Sequence, residues 1–173
     1  MRSDKVRVVD SFQVDDSVND VFEREPFAVK LATLDGQYDM LLVALHAVPD
    51  DAMTELNGLS SIYDQLVLDA GEEDVLLLGD FAAGCSYLPS AQMQVMPLWT
   101  DPRFTWWIDY GTDTTTTSTH CAYDRLVTSR GLTERVAAFS SGVFRFDQSL
   151  GLSPTETRMV SDHYPVHLNV QLR

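Results

Sequence analysis

The segment Leu77-Leu78-Gly79-Asp80-Phe81 has the composition of a buried strand that ends in a carboxylate. The pattern recurs at Val160-Ser161-Asp162-His163-Tyr164-Pro165, where the second Asp is followed directly by His. A third apolar segment, Leu41-Leu42-Val43-Ala44-Leu45-His46, ends in a histidine. Three strands are therefore expected to present titratable side chains at one end of a sheet. Carboxylates bind hard cations such as Mg²⁺ and imidazole exchanges a proton near neutral pH, so this combination favours metal-assisted phosphodiester hydrolysis.

Each of these signals also has a plain structural interpretation. An Asp directly after an apolar strand is more often the cap of a turn or helix than a metal ligand. For His46, the alternative is a strand-end imidazole that hydrogen-bonds a backbone carbonyl. For Asp124, it is a turn cap or an ion pair with Arg125.

The order of the segments predicts an α/β fold. Apolar and polar residues alternate over residues 26–34, as in a half-buried strand, and Asp35-Gly36 is typical of a turn that leads into a hairpin partner at 38–45. Apolar residues then recur at helical spacing up to Gly71, and Asp50 or Asp51 is a suitable N-cap for this helix. Further strands are expected at 75–78, 104–108, 125–127, 136–139 and 166–172.

Composition is that of a globular protein with an acidic surface. The chain has 173 residues, of which 45% are hydrophobic and 22% charged. No apolar run approaches the ~18 residues of a membrane span, and the first seven residues lack the apolar core of a signal peptide. The net charge of −14 argues against the broad basic surface of most nucleic-acid binders. A DNA enzyme with this charge should depend strongly on divalent cations.

The chain has two cysteines, Cys85 and Cys121. From the residues alone, such a pair is more often two buried thiols than a bridge, and a zinc site would need more ligands nearby. Each cysteine lies close in sequence to a candidate site residue, Asp80 before Cys85 and Asp124 after Cys121.

Four motifs give the chain a recognisable resemblance. Their sequences are Leu45-His46-Ala47, Gly79-Asp80-Phe81, Thr119-His120-Cys121-Ala122-Tyr123-Asp124-Arg125 and Ser161-Asp162-His163-Tyr164-Pro165. They occur in the order found in the deoxyribonuclease I family, and the chain resembles that family from Met1 to Arg173. The resemblance implies a two-sheet α/β sandwich of which this chain is the C-terminal part. The expected organisation is a single domain over 1–173 that lacks the N-terminal half and its first sheet.

The resemblance implies a role for each motif residue. His46, Asp80, Asp124 and His163 are the expected catalytic residues, with Asp124 orienting His163, and Asp162 is an expected ligand for Mg²⁺ or Mn²⁺. Two differences from the family pattern argue against nuclease activity of this chain by itself. Ala82 stands where the family has Asn, and two family glutamates, one binding the metal and one orienting the histidine matched by His46, belong to the missing half. A non-catalytic, calcium-stabilised DNA- or protein-binding derivative is the alternative.

The same resemblance implies calcium sites, DNA contacts and a disulfide. Asp113, Thr115 and Thr117 are expected to bind Ca²⁺, although their composition fits a polar turn equally well. A second expected site comprises Asp16, Asp20, Glu25 and the carbonyl of Phe22. The expected contacts to the DNA backbone are Arg24, Ser86, Tyr87 and Thr119; Arg24 could equally form a surface ion pair. The expected Cys85–Cys121 disulfide implies secretion.

The expected partners follow from the same resemblance. DNA is the expected substrate, and a complementary N-terminal half or a second copy is a further expected partner. No membrane is expected, and actin is not predicted. Without its other half, the chain is expected to expose the apolar inner face of its sheet, which favours association.

Overall fold

The structure, a computed structural model, describes residues 4–171. The strands of a large mixed sheet are β1 (Val6–Gln13), β2 (Phe27–Thr33), β3 (Asp39–Ala44), β4 (Val75–Asp80), β5 (Phe104–Trp106) and β6 (Asp124–Ser129). Their order across the sheet is β1-β2-β3-β4-β6-β5. A small second sheet pairs β7 (Gly142–Val143) with β8 (Val166–His167). The α/β fold predicted from the sequence is confirmed.

One long helix and several short ones connect these strands. The long helix, α1 (Ala52–Ala70), follows a 3₁₀ turn at Pro49–Asp51 and ends at Gly71. The short helices are α2 (Ser90–Met93), α3 (Pro97–Thr100), α4 (Arg130–Thr133), α5 (Phe146–Leu150) and α6 (Pro154–Val160). None of the helices within residues 4–171 has both the length and the apolar character needed to cross a bilayer.

The main core lies between α1 and one face of the large sheet. Leu56 and Leu59 of the helix and Leu41, Val43 and Leu77 of the central strands are fully buried there. Burial of each such side chain contributes about 1.5 to 3 kcal/mol relative to exposure. This layer therefore holds α1 and the central strands together.

The opposite face of the sheet is partly covered. Leu76 and Leu126 are buried there, and the C-terminal segment that contains β8 packs against them. Leu31, Leu42 and Leu78 on the same face remain half-buried. The apolar face that the sequence predicts to be exposed is therefore partly covered by the C-terminal segment.

The strand directions bring several loops to one edge of the sheet. β3 runs parallel to β4, with Ala44 opposite Leu78. β6 runs antiparallel to β4, so its first residue, Asp124, lies opposite Asp80, the last residue of β4. The loop after β3, which carries His46, therefore emerges beside both acidic residues.

The predicted hairpin and long helix are confirmed. β2 and β3 pair as antiparallel neighbours, and Gly71 ends α1 in the left-handed conformation. Asp51 lies at the N-cap position, but its side chain makes no capping hydrogen bond. Strand β1 is not predicted by the sequence, because most of its residues are exposed and show no apolar alternation.

The predicted strand that ends at Asp162 is wrong. Val160 is the last residue of helix α6, which begins at a capping box formed by Ser153 and Glu156. The hydroxyl of Ser153 accepts the amide of Glu156, and the Glu156 carboxylate accepts the amide of Ser153. This local cap selects a helix, and Asp162 then lies in an exposed loop.

The predicted strands at 136–139 and 166–172 are mostly wrong. In the first, only Val136 bridges to Val170, and Phe139 lies in a turn at a φ of 57°. The second shortens to β8, and Leu172 lies outside the described residues. Short apolar runs of this kind do not distinguish a strand from a turn that packs one side chain.

Gly58 of α1 provides a test of how closely the helix approaches the loop before β2. A Cβ at this position would lie 2.6 Å from Cγ1 of Val21 and 3.1 Å from Cζ of Phe22. Gly→Ala in an open helix stabilises by about 1 kcal/mol, whereas overpacking costs about 1 to 3 kcal/mol. We expect Gly58→Ala to lower the free energy of unfolding by roughly 1 kcal/mol in urea denaturation, because the crowding outweighs the helix gain. The control Thr54→Ala, at an exposed position of α1, should be neutral or slightly stabilising; equal stabilisation by both variants would contradict the close contact.

Candidate active site

His163 and Asp124 form the central contact of the site. His163 lies in the loop between α6 and β8, and its Nδ1 donates to Oδ2 of Asp124 at 2.8 Å. Asp124 begins β6, so the pairing of β6 with β4 fixes where its carboxylate lies. Because this hydrogen bond occupies Nδ1, the other ring nitrogen, Nε2, remains for chemistry at the sheet edge.

Asp80 lies between two imidazoles. Its Oδ2 is 3.8 Å from Nε2 of His46 and 3.9 Å from Nε2 of His163. Its Oδ1 accepts the amide of Ala82 at 3.0 Å, which holds the carboxylate in place. The structure thus brings together the four side chains that the sequence singled out, His46, Asp80, Asp124 and His163, and their catalytic roles stay predictions.

The plain alternatives for two of these residues do not match the structure. Asp124 contacts His163, while the neighbouring Arg125 points into the core and donates to the carbonyl oxygens of Ala83 and Ile108. The imidazole of His46 is 61% exposed and faces Asp80.

Acidic neighbours control the charge of His163. The hydrogen bond with Asp124 is the largest influence and raises the pKa of His163 to about 9, while burial acts in the opposite direction. The charges of Asp124, Asp80 and Asp162 raise this pKa further. A pKa of about 9 keeps His163 protonated at neutral pH.

A tightly anchored loop follows Asp80. Ala82 and Cys85 have φ values of 47° and 53°, a left-handed conformation that non-glycine residues seldom adopt. Cys85 and Cys121 form the predicted disulfide, which closes a separation of 36 residues. Gly84 lies so close to the backbone of Ala122 that a Cβ would be 2.9 Å from its carbonyl oxygen. The covalent bond and this contact hold the loop against the segment that precedes β6.

The threonine-rich segment, residues 113–119, is joined to His163 through the backbone. Thr115 and His163 form a β-bridge, and the amide of Thr116 donates to the carbonyl of Asp162 at 2.8 Å. Asp113 accepts the amide and hydroxyl of Thr115 through Oδ1, and its Oδ2 is 3.0 Å from Nδ1 of His120. Side chains within the segment therefore use both oxygens of Asp113.

Thr117, a predicted calcium ligand, lies at the exposed tip of this segment. Thr119, a predicted DNA contact, lies there as well. The hydroxyls of Thr117 and Thr119 are 2.6 Å apart. The calcium role of Asp113, Thr115 and Thr117 and the DNA contact of Thr119 stay predictions.

The second set of predicted calcium ligands lies in the loop between β1 and β2. Asp16 Oδ2 accepts the amide of Phe22 at 2.7 Å, and Asp20 has a φ of 50°. Glu25 accepts the side-chain amide of Gln13 at 2.9 Å. Asp16 and Glu25 thus have hydrogen-bond partners within or beside the loop, and a calcium site here stays a prediction.

Arg24 and the residues after Cys85 lie on the surface around the site. Arg24 donates to the backbone carbonyl of His46 at 3.0 Å rather than forming an ion pair with a flanking glutamate. Ser86 and Tyr87 are exposed in the loop after the disulfide. The ring of Tyr87 lies 5.4 Å from that of Tyr123. Contacts of Arg24, Ser86 and Tyr87 with DNA stay predictions.

Three neighbours of the site were not singled out from the sequence as functional. The ring of Tyr123 lies 6.1 Å from that of His163, and its position directly before Asp124 was the available signal. Arg125 is fully buried beneath the loop after Asp80, and Glu55 of α1 is 1% exposed. For Arg125 and Glu55, the available sequence signal was a charged residue among the apolar residues of a strand or helix.

The described residues offer a partial ligand set for a divalent cation. Within residues 4–171, no three side chains of the His, Cys, Asp and Glu types are grouped so that they could hold a metal ion. Asp80 is the carboxylate that faces both imidazoles, and Asp162 lies close enough to influence the charge of His163. These side chains do not by themselves make up a magnesium site.

The chain is similar to curated nucleases along nearly its whole length, although no family model matches it. It is 41% identical over 173 residues to Deoxyribonuclease-1 of Homo sapiens, covering 96% of the chain and 61% of that protein. It is 39% identical over 175 residues to Deoxyribonuclease-1 of Ovis aries, covering 98% of the chain and 67% of that protein. The chain spans 62% of the corresponding protein of Mus musculus, to which it is 40% identical.

Solved structures share the fold at low identity. An endonuclease/exonuclease/phosphatase from Bacteroides vulgatus superposes with a TM-score of 0.62 and 16% identity, covering 99% of this chain and 68% of that one. A humanized D. rerio TDP2 superposes with a TM-score of 0.65 and 12% identity, covering 97% of this chain and 68% of that one. The predicted fold class, a two-sheet α/β arrangement of this type, is confirmed.

The raised pKa of His163 can be tested directly. Asp124→Asn removes the largest cause of the rise and one of its charges, so the pKa of His163 should fall from about 9 toward the ordinary value near 6.5. An NMR titration of the imidazole resonances measures both values, with His167 as the reference ring. An unchanged pKa in Asp124→Asn would contradict the role of the hydrogen bond.

The raised pKa of His163 also predicts how the free energy of unfolding depends on pH. Folding raises this pKa, so the proton on His163 stabilises the folded state fully below about pH 6.5, and that contribution is lost as the pH rises through about 9. Denaturation at several pH values should show this loss in the wild type and a smaller one in Asp124→Asn.

Proposed function

The chain belongs to the deoxyribonuclease I family, and on this basis we propose that it is a divalent-metal-dependent endonuclease that hydrolyses DNA phosphodiester bonds with little sequence specificity. The chain spans 61% to 62% of the length of the human and mouse relatives. One observation carries the proposal. Two imidazoles face the same oxygen of Asp80 at 3.8 and 3.9 Å, and one of them is held by Asp124 at 2.8 Å.

The two imidazoles suit different parts of the reaction. Hydrolysis needs a group that accepts a proton from water and a group that stabilises charge on the phosphate or supplies a proton to the leaving oxygen. His163 holds its proton at neutral pH and is oriented by Asp124, so it suits the donor role. His46, exposed on the other side of Asp80, suits the acceptor role.

Metal dependence is proposed from family membership and from the acidic site. Mg²⁺ or Mn²⁺ is the proposed ion near Asp80 and Asp162, and Ca²⁺ is proposed at Asp113, Thr115 and Thr117. The residues that the structure describes supply only part of a ligand set. A complementary N-terminal half or a second copy of the chain is the proposed source of the remaining ligands.

DNA is the proposed substrate and would be held through its backbone. Arg24, Ser86, Tyr87 and Thr119 are exposed around the sheet edge, where contacts to phosphate and sugar orient a duplex without reading its bases. The disulfide between Cys85 and Cys121 supports an oxidising environment, such as the secretory pathway or the extracellular space.

A second candidate function is a non-catalytic DNA- or protein-binding derivative that calcium stabilises. Two observations favour it: Ala82 brings no polar side chain to the loop beside Asp80, and the described residues contain no three-ligand metal group. This candidate predicts DNA binding without cleavage.

Nicking of supercoiled plasmid distinguishes the two functions. We expect slow nicking in the presence of Mg²⁺ and Ca²⁺, because the imidazoles proposed as proton donor and acceptor are in place but the metal ligands are incomplete. The nicking should disappear with EDTA and in His163→Ala, which excludes a contaminating nuclease. Folded, soluble protein that binds the plasmid but never nicks it would instead favour the binding function.

Ala82→Asn should increase nicking. The φ of 47° at Ala82 suits Asn better than Ala, and the added amide could contact a phosphate or metal beside Asp80. Since one lost polar contact to a transition state can cost on the order of 10² to 10³ in rate, we expect a gain of at least about 10-fold in initial rate. Ala82→Gly relieves the backbone without adding an amide, so its gain should stay well below that of Asn. Equal rates for the two variants would show that only the backbone conformation matters.

A further inference from the structure

We propose that Glu55 is a positioning residue that holds together the loops carrying His46 and Arg24. The proposal rests on the proposed function for its kinetic consequence, but its structural content can be tested independently. Glu55 lies in the first turn of α1, below the sheet edge, and its side chain belongs to none of the groups assigned above to catalysis, metal binding or DNA contact.

Burying the carboxylate of Glu55 costs folding free energy, which suggests that this residue has a role other than core packing. Its side chain lies 1% exposed in a helix whose other buried positions are mainly apolar. Burying a carboxylate destabilises a fold unless hydrogen bonds and charges compensate, and an apolar residue of similar volume often serves stability equally well. Core packing alone does not explain a glutamate at this position.

The contacts of Glu55 reach both loops. Its Oε1 accepts the backbone amide of Val48 at 3.2 Å, two residues after His46. Burial is the strongest influence and raises the pKa of Glu55, whereas the amides of Val48 and Glu23 and the charge of Arg24 lower it. Its Oε2 is buried and makes no hydrogen bond of normal geometry, although the amide of Glu23 is near enough to lower the pKa of the carboxylate. The carboxylate therefore faces the backbone next to His46 and the backbone next to Arg24.

The loops that carry Arg24 and His46 are also joined by a direct hydrogen bond. The guanidinium of Arg24 donates to the carbonyl oxygen of His46 at 3.0 Å. Val21 and Phe22, just before Arg24, press against α1 at Gly58. One buried carboxylate thus lies beneath two loops that also contact each other above it.

The position of His46 is set through its backbone, because its side chain has little to hold it. The amide of Ala47 donates to the carbonyl of Asp80 at 2.9 Å, and Glu55 adds an attachment at Val48. The imidazole is 61% exposed, and its contact with Asp80 is 3.8 Å long. Its location is therefore set mainly by the backbone of residues 46–48. A misplacement of about 1 Å in a catalytic group can cost about 10²-fold in rate.

The test compares Glu55→Leu, Glu55→Gln and wild type by amide hydrogen exchange. Leu keeps the volume and removes both acceptors, so the Val48 amide should exchange at least about 10-fold faster, while the amides of Leu59 and Leu66 in α1 keep their protection. Gln retains an oxygen that can accept from Val48 and should restore most of the protection. Thr54→Leu, an exposed change in the same turn of α1, is the matched control and should behave as wild type.

The kinetic arm uses the same variants. Glu55→Leu should lower kcat for plasmid nicking about 10-fold, with partial recovery in Glu55→Gln, since a displaced His46 impairs the chemical step. Wild-type exchange at Val48 in Glu55→Leu would overturn the proposal. So would equal acceleration at Val48, Leu59 and Leu66, which would mean that Glu55 only stabilises the helix. If the wild-type chain does not nick DNA, the proposed function fails, but the exchange data still decide the role of Glu55.

Discussion

The pairing of β4 with β6 is the constraint on which the site depends. It sets Asp80 directly opposite Asp124, and like charges across an antiparallel pair repel each other. The protonated ring of His163 lies against both carboxylates and offsets this repulsion. The arrangement that raises the pKa of His163 is thus the same one that allows two acidic residues to share a sheet edge.

The side chains at the end of β4 keep their positions because the loop after β4 is firmly anchored. Arg125, fully buried, donates to the carbonyl of Ala83 in this loop and to Ile108 on the other side. The disulfide of Cys85 and the close backbone contact at Gly84 add two further attachments. With this support, Ala82 and Cys85 keep left-handed backbone conformations that a free loop would abandon.

Much of this site could be predicted from the sequence, because Asp80 follows a strong apolar strand and His46 closely follows another. The sequence wrongly predicts a strand that ends at Asp162, because the capping box of Ser153 and Glu156 starts a helix that ends at Val160. The contact of Asp124 with His163 spans 39 residues and came from the family resemblance rather than from local pattern. A charged residue in the apolar pattern of α1 is only a weak signal for Glu55, because its burial depends on how the loop before β2 packs on α1. The edge strand β1, largely exposed, also lacked the alternation that marks a strand.

The β-bridge between Thr115 and His163 joins two segments that are distant in sequence. A ligand that orders the threonine-rich segment must therefore also reduce the freedom of His163. If ordering of that segment strengthens binding at His163, thermodynamic linkage requires that binding at His163 strengthens binding of the first ligand by the same factor. The affinity of a ligand measured at Thr115 would then depend on what is bound at His163, and the reverse would also hold.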